Sequence, residues 1–317
     1  MDPLTHVMTG LAMSRAGLSR WHPQAPLLLM IAAELPDIDI VTVIGGPWSY
    51  FAHHRGITHT FAAAPVLALG IALLFCAGQR SWKWLRAGFV LALLGLLSHL
   101  VLDWTNAYGI RFLGPFTEHW YSLDITDVVD VWITAVLLIA TFGPLMGRMV
   151  SAEMGSKAVP GRGLAIFALL FLCAYNGGRS VLHRRAVDTL ESRVYDGAAP
   201  LRAGAFPTVF NPLQWDGIVD GAAAMWKYRL NLSATFDPDS GARYEKPEMD
   251  PAIQAASKTD VFRKFLSFAK YPLWTVVPSA AADNSLDVRV TDLRFGFSVS
   301  AVVDAANRVH DTKFNFR

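Results

Sequence analysis

Charge is scarce in this sequence. Only 17% of its 317 residues are Asp, Glu, Lys or Arg, against 53% hydrophobic residues, and the mean hydropathy is +0.32. That balance excludes an ordinary soluble enzyme and points to the membrane. No block of Lys and Arg stands out and the net charge is +2, so no nucleic-acid partner is expected. Cysteine is nearly absent. Cys76 and Cys173 both lie in apolar runs, where they read as small core residues and not as a disulfide or a zinc knuckle. Met1-Asp-Pro-Leu-Thr-His6 lacks a basic stretch followed by an apolar one, so no cleavable signal peptide is expected. There is no His-Glu-x-x-His, no Gly-x-Ser-x-Gly, no P-loop and no dinucleotide-binding glycine fingerprint. Zinc proteases of the standard type, serine hydrolases with a nucleophile elbow, and nucleotide enzymes are thereby set aside. No internal repeat or low-complexity segment appears.

What is present is a series of apolar runs. Residues 4–18 and 25–35 read as helices shorter than the roughly 20 residues of a full span, forming a hairpin packed among neighbours. Residues 37–60 read as irregular around Gly45-Gly46-Pro47, a strong turn signal. Full spans are expected at 60–78, 87–103, 128–147 and 163–178. The composition changes at His183. The expected architecture is therefore mainly α: a multi-span membrane helix bundle over residues 1–182 that carries a metal site, then a C-terminal soluble α+β domain over 183–317. In that second part, 183–195 and 258–270 have helical patterning. Residues 227–235, 286–295 and 297–303 alternate like half-buried strands of a small antiparallel sheet. Basic residues gather in 79–86 and 148–162 and around the turn at 15–22. The positive-inside rule puts these in the cytoplasm. The polar clusters at 37–59 and 99–127, and the C-terminal domain, then lie on the opposite, outer face.

Those polar clusters carry the chemistry. His99 and Asp103 are four apart, so they share a helix face; an imidazole and a carboxylate there suit zinc or a similar divalent ion. An ionisable group at membrane depth is costly and marks function by default, although an interfacial pair is the plainer alternative. Asp37 and Asp39 bracket Ile38; in an extended segment both carboxylates point to one side, and a cation between them explains the pairing. The plainer alternative is a solvated turn after Pro36. His54 and His59 flank Arg55-Gly56-Ile57-Thr58. Gly56 permits a tight bend, Thr58 suits the cap of a helix starting at His59, and His53 is expected to point elsewhere. Arg55 suits bidentate binding of phosphate or carboxylate; a surface ion pair is its plainer role. Glu34, His119, Asp124, Asp127 and Asp130 form an outer tier, with Asp127 and Asp130 placed where a helix dipole favours carboxylates. A lone histidine is more often structural than ligating. Several His and Asp gathered on one membrane face reverse that balance.

Leu4-Thr-His6, Pro36-Asp-Ile-Asp39, His54-Arg-Gly-Ile-Thr-His59 and Ser98-His-x-x-x-Asp103, in this order, resemble the YdjM-type inner-membrane metal-dependent hydrolases. The stretches Asn211–Trp215 and Asp292–Phe295 look familiar from longer members. That family is grouped with the zinc-dependent phospholipase C and P1 nuclease superfamily. The resemblance implies a helical bundle of that type, clustered zinc ions and phosphodiesterase chemistry. His99 and Asp103 are similar to that superfamily's His-x-x-x-Asp, His6 and Asp37 to its early His and Asp, and His54 or His59 to its next His. Its soluble members begin with a ligating tryptophan amino group, whereas this chain begins Met1-Asp2, so one or two metals are expected here instead of three.

Together these readings predict a membrane-embedded metallohydrolase. His6, Asp37, Asp39, His54, His59, His99 and Asp103 hold zinc or another divalent ion. Asp39 serves as bridging ligand or general base, and Arg55 steadies charge building on a phosphoester. Membrane lipid is the expected surrounding, and a phosphoester or lipid-like molecule the expected substrate. The competing expectation is a non-catalytic membrane protein with a structural metal site and a soluble domain that binds an envelope partner. A transporter ranks last, because the polar residues lie at span ends and not at mid-membrane.

Overall fold

The structure, a computed structural model, describes residues 1–153, 161–279 and 284–316; Lys157, in the expected basic loop, lies outside the described residues. The chain divides into two compact units. One comprises Met1–Val41, His53–Val181 and Val209–Asn211; the other comprises Thr42–Ala52, Leu182–Thr208 and Pro212–Arg317.

The chain up to Glu191 is helical; within it Thr42–Ala52 and the end of the last helix, from Leu182, belong to the second unit. Helix α1 (Pro3–Ala16) starts at an Asp2 cap whose carboxylate accepts the Thr5 N–H, and α2 (Ala25–Glu34) follows. The next stretch, read from sequence as irregular, is a 3₁₀ segment over Leu35–Gly45, then the short helix α3 (Pro47–His53) and a 3₁₀ turn at Ile57–His59. Helices α4 (Ala63–Gly78), α5 (Leu85–Thr105), α6 (Val131–Glu153) and α7 (Arg162–Glu191) complete it. The four expected full spans reduce to fewer. Among the described residues, Trp82–Thr105 and Arg162–Glu191 are long and apolar enough to cross a membrane, and a third crossing exists if Pro47–His59 and Ala63–Gly78 form one bent span. The apolar part of α6, Val131–Gly147, is shorter.

Helices α2, α4 and α5 share a core of Leu28, Leu29, Ala32, Ala68, Leu91, Ala92 and Leu96. A second core joins α1, α6 and α7 through Met8, Ala12, Ile133, Leu137, Ala165 and Ala168. Pro144 sits inside α6 and has no N–H to give to the carbonyl four residues back. That carbonyl, Ala140 O, instead accepts from Arg15 Nη1 at 3.0 Å, as does Thr141 O at 2.7 Å. Arg15, counted from sequence as a charge of the 15–22 turn, thus has its guanidinium bound to α6.

The second unit holds two antiparallel four-stranded meanders where one small sheet was expected. The first is β1 (Arg202–Pro207), β2 (Gln214–Asp220), β3 (Ala224–Asn231) and β4 (Ala242–Glu245). Helices α8 (Pro251–Ser257) and α9 (Asp260–Phe268) lead to the second, β5 (Pro272–Pro278), β6 (Leu286–Asp292), β7 (Ser298–Val303) and β8 (Val309–Asn315). Trp215 of β2 is fully buried. Asp292 and Arg294 form a buried ion pair at 2.7 Å in the turn after β6. The two later stretches noted in the sequence are therefore packing elements of this unit.

Candidate metal centre

Helix α5 brings His99 and Asp103 to one face, both with no exposed surface. It lies close against α2 because residue 95 is glycine: a Cβ there would stand 2.8 Å from Ala32 Cβ and 3.2 Å from Leu29 O. One turn further, His99 Nδ1 reaches Ala33 O at 2.7 Å. That carbonyl lies in the last turn of α2, where carbonyls have no partner within the helix. A carbonyl only accepts, so Nδ1 carries the hydrogen and Nε2 presents its lone pair.

His59 reaches the same state by another route. Its Nδ1 lies 3.3 Å from Asp39 Oδ2 and 3.1 Å from Thr58 Oγ1. The Thr58 hydroxyl spends its own hydrogen on Asp39 Oδ2 at 3.2 Å. Both neighbours accept from Nδ1, so His59 Nε2 is also a bare lone pair. Yet the two Nε2 atoms stand 3.1 Å apart. Asp37 Oδ1 lies 3.2 Å from His59 Nε2 and 3.8 Å from His99 Nε2. Asp103 Oδ2 lies 3.6 and 3.5 Å from the same two atoms, and it is buried with no hydrogen-bond partner. Four electron-rich atoms facing one another repel unless a cation lies among them. For donors about 2.0–2.2 Å from a tetrahedral ion, neighbouring donors are about 3.3–3.6 Å apart. The observed spacings bracket that range, and two imidazoles with two carboxylates suit a zinc-like ion. Asp37, His59, His99 and Asp103 are thus a group able to hold a metal.

His6 stands over this ring. Its imidazole stacks on His99 with centroids 3.7 Å apart, and its Nε2 is 3.4 Å from Asp103 Oδ1. Both of its ring nitrogens are buried without a hydrogen-bond partner, a costly state for a polar group unless a ligand takes it up.

Asp37 and Asp39 do not point to one side, as an extended segment would require. The segment is 3₁₀, with three residues per turn, so residues two apart differ by about 120° in direction. Asp37 therefore meets the Nε2 edge of His59 and Asp39 the Nδ1 edge. Asp39 accepts from His54 Nδ1 at 2.8 Å, the Arg55 N–H at 2.8 Å and Thr58 Oγ1. Burial pushes the Asp39 carboxyl up, but the His54 and His59 hydrogen bonds outweigh it and hold it well below the ordinary carboxylate range. Asp37, Asp39 and His54 also form a second group of potential ligands, but the donors on both Asp39 oxygens suit it better to orienting His54 and His59 than to taking a proton from water. Asp39→Asn is accordingly expected to weaken metal binding about 10- to 100-fold, the usual cost of losing a partner that orients a ligand, and Asp37→Asn to weaken it more. Chelator-competition titration measures both; equal losses would make Asp39 a ligand.

The bend between His54 and His59 rests on two backbone features. Arg55 takes φ 53°, and Gly56 approaches so closely that a Cβ would lie 2.5 Å from His53 O. The glycine is thus required by contact, and the positive φ falls one residue earlier. Thr58 does not cap α4, whose N-cap position is Ala62; Thr60 Oγ1 accepts the Ala63 N–H at 3.0 Å in the turn before it. His53 is exposed.

Arg55 is buried, and its guanidinium is turned inward. Nη2 donates to Asp103 Oδ1 at 3.0 Å, and Nη1 to Asn106 Oδ1 at 3.1 Å and Gly109 O at 2.9 Å. The Met1 amino group also donates to Asp103 Oδ1, and Asn106 Nδ2 does so at 3.3 Å. Asp103 thus divides its work: Oδ1 is anchored by cations and amides, Oδ2 faces the histidines. Asn106, fully buried, escaped the sequence reading; its place one turn after Asp103 on the same helix face was the available signal.

Four of the outer tier are used elsewhere, while Glu34 lines a hollow beside Asp37. Asp130 caps α6, accepting from the Trp132 and Ile133 N–H groups and from the Tyr175 hydroxyl. Asp127 takes the Val128 N–H, Asp124 takes the Ser122 hydroxyl, and His119 stacks edge-on to Tyr121.

No solved structure matches the chain. The uncharacterized Bacillus subtilis protein YfhP is 26% identical over 311 residues, covering 93% of this chain and 87% of that protein. A family model described as the YdjM inner membrane protein matches residues 1–186. That match takes in more than half the chain and every residue of the cluster, and the chain belongs to the YdjM inner membrane protein family.

Proposed function

We propose that the protein is a membrane-bound, metal-dependent hydrolase of the bacterial inner membrane, acting on a phosphoester or lipid-like substrate. The observation that carries this reading is the facing pair of imidazole lone pairs, 3.1 Å apart, closed into a ring by two carboxylate oxygens. Asp37, His59, His99 and Asp103 hold the ion, with His6 and His54 as further ligands. Zinc is the ion best suited to this donor set. When bound, it supplies a Lewis acid and can bring the pKa of a coordinated water to about 7. The chain's own residues fix the donors. Asp39 and Ala33 O set the two tautomers, and Arg55 and Asn106 hold Asp103. The likeness of His99-x-x-x-Asp103 to the phospholipase C and P1 nuclease pattern supports hydrolysis as the reaction class. The basic loop at 79–86 supports a periplasmic site and C-terminal domain.

The test is turnover of a generic phosphodiester by purified protein in detergent. Activity is expected to vanish on chelation and return with zinc. A second reading, a structural metal site with the C-terminal domain binding an envelope partner, draws support from the depth of the cluster. His59, His99 and Asp103 have no exposed side-chain surface, and Asp37 has only 14%. Metal-dependent thermal stability without any turnover would favour that second reading.

A further inference from the structure

The ring member that keeps some exposure, Asp37, lines a hollow of about 380 Å³ together with Ile31, Glu34, Leu35, Ile38 and Ile40. Four of these six residues are aliphatic. Ile31, Ile38 and Ile40 are 40%, 54% and 57% exposed, so the rim is hydrocarbon open to the surroundings. Leu27, four residues before Ile31 and thus on the same face of α2, is 50% exposed. It extends the rim into an apolar track along the helix. From Leu27 to Glu34 the helix rises about 10 Å at 1.5 Å per residue, a stretch that lies within the roughly 15 Å of hydrocarbon in one leaflet.

The two ends of the track differ. Along α2 it is hydrocarbon at Leu27 and Ile31. At the metal end stand Asp37 and Glu34, whose Oε2 is buried without a hydrogen-bond partner. An occupant must therefore be apolar along its length and polar at one tip. A water-soluble phosphoester has nothing to place in such a track. A second copy of this chain would have to bury Glu34 and Asp37 against its own apolar face.

We infer that this track is a subsite for one acyl chain of a membrane lipid, laid along Leu27, Ile31 and Ile38, with the lipid's polar end delivered beside Asp37. The inference rests on the metallohydrolase reading for its purpose but not for its test, which needs no turnover. The protein is reconstituted in vesicles containing a phospholipid with a photoactivatable diazirine in its acyl chain. After irradiation, adducts are mapped by mass spectrometry. Adducts are expected to concentrate on residues 27–40 relative to the exposed lipid-facing residues Phe167 and Leu170 of α7, which are 58% and 65% exposed.

Filling the hollow with Ile38→Trp displaces roughly two methylenes' worth of chain contact, which corresponds to about a tenfold loss of adducts on 27–40. Adducts on α7 and the bound metal should stay unchanged. Ile40→Asp, at an exposed position, gives a second variant that breaks the apolar rim without adding bulk. Equal labelling of α2 and α7, or labelling of 27–40 indifferent to both variants, means ordinary annular lipid and overturns the subsite. Specific labelling without phosphodiester turnover would leave the subsite standing and overturn the hydrolase instead.

Discussion

Asp103→Asn is expected to empty the metal centre and destabilise the helical unit together, whereas Asp37→Asn empties it at little cost to the fold. The two carboxylates sit on the same ring but have different surroundings. Asp37 touches His59 and His99 and retains some exposure. Asp103 has none, and its Oδ1 neutralises the Arg55 guanidinium. Asparagine keeps the shape of Asp103 but removes its charge, leaving a buried guanidinium uncompensated. Removing one partner of a buried pair costs about 3–5 kcal/mol. Elemental analysis should find metal reduced to background in both variants. Thermal unfolding in the presence of chelator, where metal no longer contributes, should separate them, with Asp103→Asn well below wild type and Asp37→Asn close to it. Retention of full metal by Asp103→Asn would remove this residue from the centre.

The helices and the chemistry-bearing residues were legible in the sequence because both rest on local signals. Apolar runs bounded by Pro3, Pro36 and Gly78 mark helices, and His99 and Asp103 share a face by helical spacing alone. Roles were less legible, because a role depends on which atom meets which neighbour. Asp37 and Asp39 look equivalent in Pro36-Asp-Ile-Asp39. Only the 3₁₀ winding of Leu35–Gly45 sends one to each edge of His59, and a run of apolar residues around two acids gives no local sign of that winding. Arg15 reads as a surface charge until Pro144, nearly 130 residues later, frees the carbonyl that binds it. In the second unit, β1, β2, β4, β5 and β8 went unseen. Pro, Gly and Asp interrupt the alternation in β1 and β2, as in Gln214-Trp-Asp-Gly-Ile-Val-Asp220, while β8 is mostly exposed. Pairing with neighbouring strands overrides such weak local preference.

Arg55→Lys tests how the centre is assembled, and the expected loss is of metal and stability together. In the sequence this arginine reads as a group for steadying phosphoester charge. In the fold its guanidinium forks between Asp103, Asn106 and Gly109, its face lies 4.9 Å from the Tyr108 ring centroid, and its own N–H reaches Asp39. A lysine carries the charge but not the planar fork, so it can replace only part of this set. Hydrogen bonds to charged groups are worth about 1.5–3 kcal/mol each, so losing two of the three side-chain bonds gives a loss of roughly 3–6 kcal/mol. Asp103 Oδ1, without its Nη2 bond, would keep only weaker contacts such as Asn106 Nδ2 at 3.3 Å, and the Oδ2 edge facing His59 and His99 would lose its fixed direction. Metal affinity should therefore fall in Arg55→Lys even though no ligand has been changed. An arginine acting on substrate alone would behave differently: the lysine variant would bind metal and unfold like wild type and lose only kcat. Chelator competition and thermal unfolding on the same preparation distinguish the two without any knowledge of the substrate.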